Sequence, residues 1–587
     1  MKHLSNLAAA GFSHIHLLPS YDLASVPELR SERKDQDPAY LRTLPRDSEE
    51  QQNLVGQTRY VDSFNWGYDP YHFGVCDGSY ATDEDQNGAV RVRRYRTMVQ
   101  RLYEVGLRVI QDVVYNHVFD SGQNSKSVVD KVVPGYYLRM DNNGVVQSQS
   151  CCPDLATEFA FAEKLMLDLL VLWARVYKMD GFRFDLMGFH TLDNMKRVRA
   201  TLDALTLATD GVDGKGLYIY GEGWDFGSAK MKGFTIATQV TCAGTGIGTF
   251  NDRIRDAIHG GSREDSLEIR TQGFINGLSY DWNGYNYNSR YQGDLRYKAD
   301  IIKFGLAGNL QNYQIVDQNG NTQVGHSFNG VAYALTPREC VNYAASHDDQ
   351  SLFDLNVFKA PKATSRQNRA RIQNLALSIV ALSQGIPFFD AGVDMLRSKS
   401  LDRNTYDSGD WYNGLDFTYQ ENNFAIGMPP KWNNEHRYDI IRAHLQDTTI
   451  DPTSTEILGS VEHLKEMASI RKSSRLFRLA TEADVRSRVV FYNTGPSQVD
   501  AVIVMVLLDT GLGLPQLDPL YSKILCVVNA DKLDKRFIVS PLAGNNFALH
   551  PIQRASHDSS VTTSTFNPST GEIFVPQRTT AVFVISR

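Results

Sequence analysis

Residues 180–185 read Asp-Gly-Phe-Arg-Phe-Asp. A short apolar run of this kind forms a strand, and successive side chains of a strand point to opposite faces. Phe182 and Phe184 therefore share one face, and Arg183 and Asp185 share the other. That places a guanidinium beside a carboxylate, and an opposite charge at that range keeps an aspartate ionised, as a nucleophile requires. A second acid, Glu222, stands in Tyr220-Gly-Glu-Gly-Trp224, at the end of another apolar strand. A carboxylate paired with a carboxylic acid is the equipment of glycosyl transfer.

Outward from this stretch, strands and helices alternate. Upstream lie a helix over 2–10, the buried strand Ser13–Pro19, a helix over about 91–105 and the strand Leu107–Tyr115, which closes on Asn116-His117. A helix over 156–178 leads to the strand of Asp185, and one over 191–208 leads to Leu217–Tyr220 and Glu222. Thr249–Asp252 reads as a sixth strand, Cys340–Ser346 as a seventh ending at His347-Asp348, and Pro387–Phe389, after a helix over 368–384, as an eighth. Two polar excursions, about 22–63 and 118–155, interrupt the series. Repeated βα units with polar residues at strand ends predict an α/β fold, a TIM (β/α)8 barrel whose active site sits at the C-terminal ends of the strands. On this count His117, Asp185, Glu222 and His347-Asp348 end strands three, four, five and seven. Helices over 436–445 and 456–473 complete the barrel. From about residue 487 short β-rich runs with Gly, Pro and Asn turns predict a C-terminal antiparallel β-sandwich. The expected domains are 1–486 and 487–587.

Each residue has a blander reading. A lone His such as His117 is commonly a structural hydrogen-bonder, Arg183 with Asp185 could be a buried ion pair of small net value, Glu222 a turn acid, and Asp348 a helix cap. Their joint arrival at strand ends favours chemistry.

The 587 residues carry a formal net charge of −7, modest and spread out, so no nucleic acid or other polyanion partner is implied. No apolar run is long enough to span a membrane, and no signal or transit peptide is visible at the first residues. Six cysteines in so long a chain are no disulfide framework, and Cys151-Cys152 lack metal-ligand spacing, so all six are expected to be reduced. Tyr and Trp in Gly- and Asn-rich loops suit stacking on sugar rings.

These residues resemble the α-amylase superfamily, glycoside hydrolase family 13. Asp112–His117, Gly181–Asp185, Gly221-Glu222 and His347-Asp348 match its four regions in order. Asn65-Trp-Gly-Tyr-Asp-Pro70, Phe184-Asp-Leu-Met-Gly188, Leu396–Arg403 and Ser408-Gly-Asp-Trp411 narrow the likeness to the type I pullulanase and plant limit dextrinase group. The resemblance implies Asp185 as nucleophile, Glu222 as general acid/base and Asp348 as transition-state stabiliser. It implies that His117, Arg183 and His347 bind the sugar at subsite −1, that Tyr68 stacks on it with Asp69 nearby, and that Trp224 and Phe226 line the +1 side. Asp402 and Arg403 would hold the non-reducing end. Phe189, Asp349, Asp390, Val393-Asp394 and Asp154 depart from the group's usual residues. Relatives carry β-sandwich domains before the barrel, whereas here the first strand begins near residue 13, so a chain lacking those domains is expected.

The expected activity is retaining endo-hydrolysis of α-1,6 bonds in pullulan, limit dextrins and branched amylopectin fragments. Its rivals are an α-1,4-acting amylase or isoamylase-type debrancher, and an inactive glucan-binding homologue. No organic cofactor or required metal is expected. The resemblance allows calcium near Asn116. A monomer is favoured, and the likeness to plant and algal enzymes suggests a plastid.

Overall fold

A computed structural model describes residues 1–261, 267–285, 288–511 and 513–587. The chain divides into two compact units: Met1–Pro38, Leu54–Phe250 and Tyr406–Trp411 form the first, and Ala39–Asn53, Asn251–Thr405 and Tyr412–Arg587 the second.

The first unit opens with helix α1 (Lys2–Ala10), strand β1 (His14–Leu17), strand β2 (Tyr21–Leu23) and strand β3 (Pro70–Cys76). Helix α2 (Gly88–Glu104) starts at Asn87, whose side chain accepts the Ala89 amide, and it turns Tyr95, Val99 and Leu102 inward. There follow β4 (Arg108–Val113), α3 (Ala160–Leu172), β5 (Gly181–Phe184), α4 (Leu192–Asp203), β6 (Tyr218–Gly221) and β7 (Gly248–Asn251). A capping box between Thr191 and Asn194 starts α4.

These parallel strands pair in the order β1, β4, β5, β6, β7. The register sets Asp112 beside Arg183 and Arg183 beside Tyr220. All four β5 residues are buried, as expected of a parallel strand covered on both faces. One apolar cluster, including Val109, Val113, Trp173, Phe182, Phe184 and Ile219, lies beneath them.

The strand count differs from the sequence reading. β1 pairs directly with β4, and β2 and β3 pair antiparallel with each other. No parallel strand stands between β1 and β4 among the described residues, so the strands carrying His117, Asp185 and Glu222 are the second, third and fourth of this series. Residues 70–76 form one strand of this antiparallel side ribbon instead.

The second unit contains α5 (Gln292–Leu306), β8 (Cys340–Asn342), α6 (Leu352–Lys359), α7 (Arg366–Leu382) and β9 (Ile386–Pro387), with β8 and β9 parallel. Helix α8 (Ser454–Ser473) packs along α7. Beyond it come β10 (Val489–Tyr492), β11 (Val502–Leu508), β12 (Tyr521–Asn529), β13 (Lys535–Ile538), β14 (Ala548–Leu549), β15 (Thr565–Asn567), β16 (Glu572–Val575) and β17 (Thr579–Ser586). They form antiparallel sheets in the orders β10-β11-β12-β17-β14 and β13-β16-β15. Val504, Leu525, Val527 and Phe583 of one sheet share an apolar cluster with Ile573 and Val575 of the other. No helix among the described residues is long and apolar enough to cross a membrane.

Candidate active site

In the first unit the site grows from Arg183. Its neighbour by register, Asp112, is fully buried, and its two oxygens lie 3.0 and 3.1 Å from Arg183 Nη1. Burial would raise the Asp112 pKa, but Arg183, His16 and Tyr68 outweigh it and hold the carboxyl below its ordinary value. Burial would likewise lower Arg183, yet Asp112, Tyr68, Glu222 and Asp185 push it well above its usual range. The guanidinium is a fixed cation.

That cation bridges both predicted catalytic acids. Arg183 Nη1 lies 3.1 Å from Asp185 Oδ1, and Nη2 lies 3.1 Å from Glu222 Oε1. The remaining Asp185 oxygen accepts from Asn116 Nδ2 at 2.9 Å. The remaining Glu222 oxygen accepts from the Leu186 amide at 2.9 Å. Leu186 has φ 38°, the left-handed region that non-glycine residues seldom occupy. The glycines flanking Glu222 are required by close backbone approach: a Cβ at Gly221 would meet Phe184 O at 2.5 Å, and one at Gly223 the Gln239 amide at 2.7 Å.

Tyr68 is tied into the same network, its hydroxyl donating to Asp112 Oδ2 at 2.7 Å while its ring lies 5.8 Å from the Arg183 guanidinium. The backbone carbonyl of Tyr68 lies 2.9 Å from His117 Nε2. Burial lowers the His117 pKa to about 4, so its imidazole is neutral at pH 7, and its Nδ1 is buried without a hydrogen-bond partner. Burial raises the Asp69 pKa above its ordinary value. Trp224 is half-buried and Phe226 is 44% exposed, held edge-on at 5.4 Å by Phe189. Phe189 itself is buried, as is His190, which meets Thr157 Oγ1 at 2.8 Å.

Sequence reasoning missed Asn116 as a partner of Asp185, and it missed Asp112 and His16. His16 Nε2 lies 3.3 Å from Asp112 Oδ2, and its Nδ1 lies 3.1 Å from the Tyr220 hydroxyl. The polar pair ending the strand at Asn116-His117 was the available signal.

One expectation is corrected. Cys151 and Cys152 form a disulfide, and only Cys76, Cys242, Cys340 and Cys526 are free. The adjacent thiols pair with each other, which a search for spaced partners overlooks. Cys151 Sγ lies 3.8 Å from His117 Nε2.

In the second unit His347 Nε2 lies 3.7 Å from Asp348 Oδ2. The cap of α6 is Ser351, whose hydroxyl accepts the Asp354 amide at 3.1 Å, so Asp348 does not serve as that cap. Asp402 is fully buried, accepting from the Asn404 amide at 3.0 Å and Asn434 Nδ2 at 2.8 Å, and the Arg403 amide donates to Asn434 Oδ1 at 3.0 Å.

The donor set near Asn116 does not fit calcium. Calcium takes six to eight oxygens, whereas Asn116 offers one free buried oxygen and its amide is engaged with Asp185. The carboxylates Asp22, Glu28 and Asp77 do converge elsewhere. Their oxygens already bind His72, Arg91 and the Leu23 and Ser79 amides.

Residues 419–586 match the family described as alpha-1,6-glucosidases, pullulanase-type, C-terminal. The chain is 42% identical over its whole length to pullulanase 1, chloroplastic, of Arabidopsis thaliana, spanning 62% of that protein. It is 38% identical over 87% of its length to the pullulanase of Klebsiella aerogenes, spanning 49% of that one. It superposes throughout on the maltotriose complex of PulA from Klebsiella pneumoniae at TM-score 0.94 and 36% identity, covering 66% of that chain. The chain is similar to pullulanases along its whole length. It spans less than two thirds of the length of these relatives.

Proposed function

We propose that this chain is a starch-debranching glycoside hydrolase that cuts α-1,6-glucosidic bonds inside pullulan, limit dextrins and branched amylopectin fragments. The single observation that carries the reading is the Arg183 guanidinium bridging the carboxyls of Asp185 and Glu222. The names and bound maltotriose of the relatives support the choice of substrate. The C-terminal match supports the α-1,6 linkage over the isoamylase-type and α-1,4 alternatives.

The proposed architecture is a (β/α)8 barrel over 1–486 and a β-sandwich over 487–587. Branched α-glucans are the proposed partners, with neither nucleic acid nor membrane involved. We place the enzyme in a plastid, supported by its chloroplastic relative, and as a monomer. The proposed chemistry needs no cofactor.

The mechanism follows from the groups present. Glu222, as acid, gives its proton to the glycosidic oxygen while an Asp185 oxygen attacks C1, so that the C1–O bond to the leaving glucan breaks and a glycosyl ester forms. Glu222, now a carboxylate, takes a proton from water. The hydroxide oxygen bonds to C1, the ester bond breaks, and Asp185 is released with configuration retained. Arg183 and Asn116 aim Asp185, and the Leu186 amide aims Glu222. Tyr68, fixed through Asp112, offers its ring to the −1 sugar, with His117 and His347 as its polar contacts. Trp224 and Phe226 receive the +1 side, Asp69 lies near Tyr68 at the −1 sugar, and Asp402 and Arg403 hold the non-reducing end. Asp348 takes the role of transition-state stabiliser.

Incubation with pullulan tests the reading. Release of maltotriose, with the first-formed anomer retained by NMR, is expected. Starch hydrolysis without attack on pullulan would favour an α-1,4-acting enzyme, and no turnover on any α-glucan would leave a binding protein.

A further inference from the structure

The run Leu396–Arg403 carries a lysine that none of the steps above uses. Lys399 is fully buried. Its ammonium donates to the carbonyl of His347 and, at 2.8 Å, to the carbonyl of Asp349. Those two carbonyls belong to the residues immediately before and after Asp348. One cation thus ties the backbone on both sides of the third acid.

We propose that Lys399 is the positioning residue for Asp348, setting the direction of its carboxylate by fixing the backbone from His347 to Asp349; this rests on the reading of Asp348 as transition-state stabiliser. The Asp348 side chain is 43% exposed, so packing does little to orient it, and its aim comes from the main chain. Asp349 sits at φ 59°, a left-handed conformation that a non-glycine residue relaxes from unless held. The lysine is itself anchored: its amide donates to Asp354 Oδ2 at 2.7 Å, and the hydroxyl of Ser398 donates to Asp354 Oδ1 at 2.5 Å. Asp354 lies in the first turn of α6, so the tie runs from a helix through Lys399 to the acid. A buried ammonium is costly to desolvate, and a neutral donor would suffice to brace an ordinary loop. Burial and Arg397 lower the Lys399 pKa, while Asp390, Asp402 and Asp348 act to raise it.

Kinetics on pullulan with a double-mutant cycle test the idea, using wild type, Lys399→Met, Asp348→Asn and the double variant, each checked for folding by circular dichroism and thermal melting. Expected for folded Lys399→Met is a kcat loss of about 100-fold, the scale of a misplaced group, with KM changed by less than about threefold. The double variant should lose no more than Asp348→Asn alone, because both changes remove the same contribution. Lys399→Gln, which keeps neutral donors, should recover part of the loss, and it replaces Lys399→Met in the cycle if that variant does not fold. Wild-type kcat in a folded Lys399 variant, or losses that multiply in the double variant, would overturn the assignment. A wild-type chain without turnover would instead overturn the hydrolase reading on which it rests.

Discussion

The Leu186 amide donates to Glu222 Oε2 at 2.9 Å from a backbone held at φ 38°. The residue directly after the proposed nucleophile thus orients the proposed acid/base, and it does so from a conformation costing about 1–2 kcal/mol. Such strain persists where surrounding structure enforces it, and here the enforced feature is a donor aimed at the Glu222 carboxyl.

Leu186→Ile and Leu186→Asn should therefore diverge. Isoleucine keeps the volume, but its branched Cβ resists positive φ, so kcat on pullulan should fall about 10-fold or more and the melting temperature should drop. Asparagine tolerates the left-handed region and should hold kcat within several-fold of wild type. Equal kinetics for the two would show that the amide's direction is immaterial.

Asn116 and Asp185 give a second pair. Nδ2 of Asn116 supplies a charge-assisted bond to the oxygen that Arg183 does not hold. Bonds to charged groups are worth about 1.5–3 kcal/mol, so Asn116→Ala should lower kcat/KM by about 10- to 150-fold. Asn116→Asp sets a like charge against Asp185, the proposed nucleophile, and should cost more. Stopped-time maltotriose assays would read both variants.

Much of this site was readable in advance. The period of two in β5 predicts Arg183 and Asp185 on one face, and the two lie 3.1 Å apart, while polar residues at apolar strand ends singled out His117, Glu222 and Asp348 as candidates. The Asp112–Arg183 contact was not readable, because it depends on the register between strands 71 residues apart. The Leu186 donor escaped because it is a main-chain group whose direction depends on a dihedral. The strand count failed before β4, because among the described residues β1 pairs directly with β4 and the strand over 70–76 pairs with β2 in a side ribbon. Phe189, a departure that suggested an altered pocket, is buried and meets the exposed Phe226 ring edge-on at 5.4 Å.

Stability should fall on acidification before ordinary carboxylates titrate. Burial lowers the pKa of His117, His444, His463 and His550 to about 4 and that of His190 to about 3. Unfolded histidines titrate near 6.5, so between there and the folded values the unfolded chain binds more protons, and stability is lost as pH falls through that window. The fully buried groups each contribute on the order of 3–5 kcal/mol at most. Asp112, whose pKa is lowered, adds a loss that begins below its unfolded value and runs to lower pH. Denaturant midpoints measured at pH 7.5, 6 and 5 should decline stepwise. His190→Gln should flatten the slope, and a midpoint constant from pH 7.5 to 5 would contradict the assignment of these imidazoles as neutral.

The Cys151–Cys152 bond predicts a thiol count and a kinetic effect. Protein denatured without reductant should titrate only Cys76, Cys242, Cys340 and Cys526, and reductant should expose two further thiols. The disulfide stands beside His117, whose backbone pairs with Asp154 two residues further on and whose ring contacts Cys151 Sγ at 3.8 Å. Opening it loosens the segment that returns to the −1 sugar's proposed contacts, while Asp185, Glu222 and Arg183 stay in their own network. KM for pullulan should therefore rise several-fold on reduction while kcat holds. The Cys151→Ser/Cys152→Ser variant should start at the raised KM and ignore the reductant; a wild-type KM unmoved by complete reduction would detach the disulfide from the sugar site.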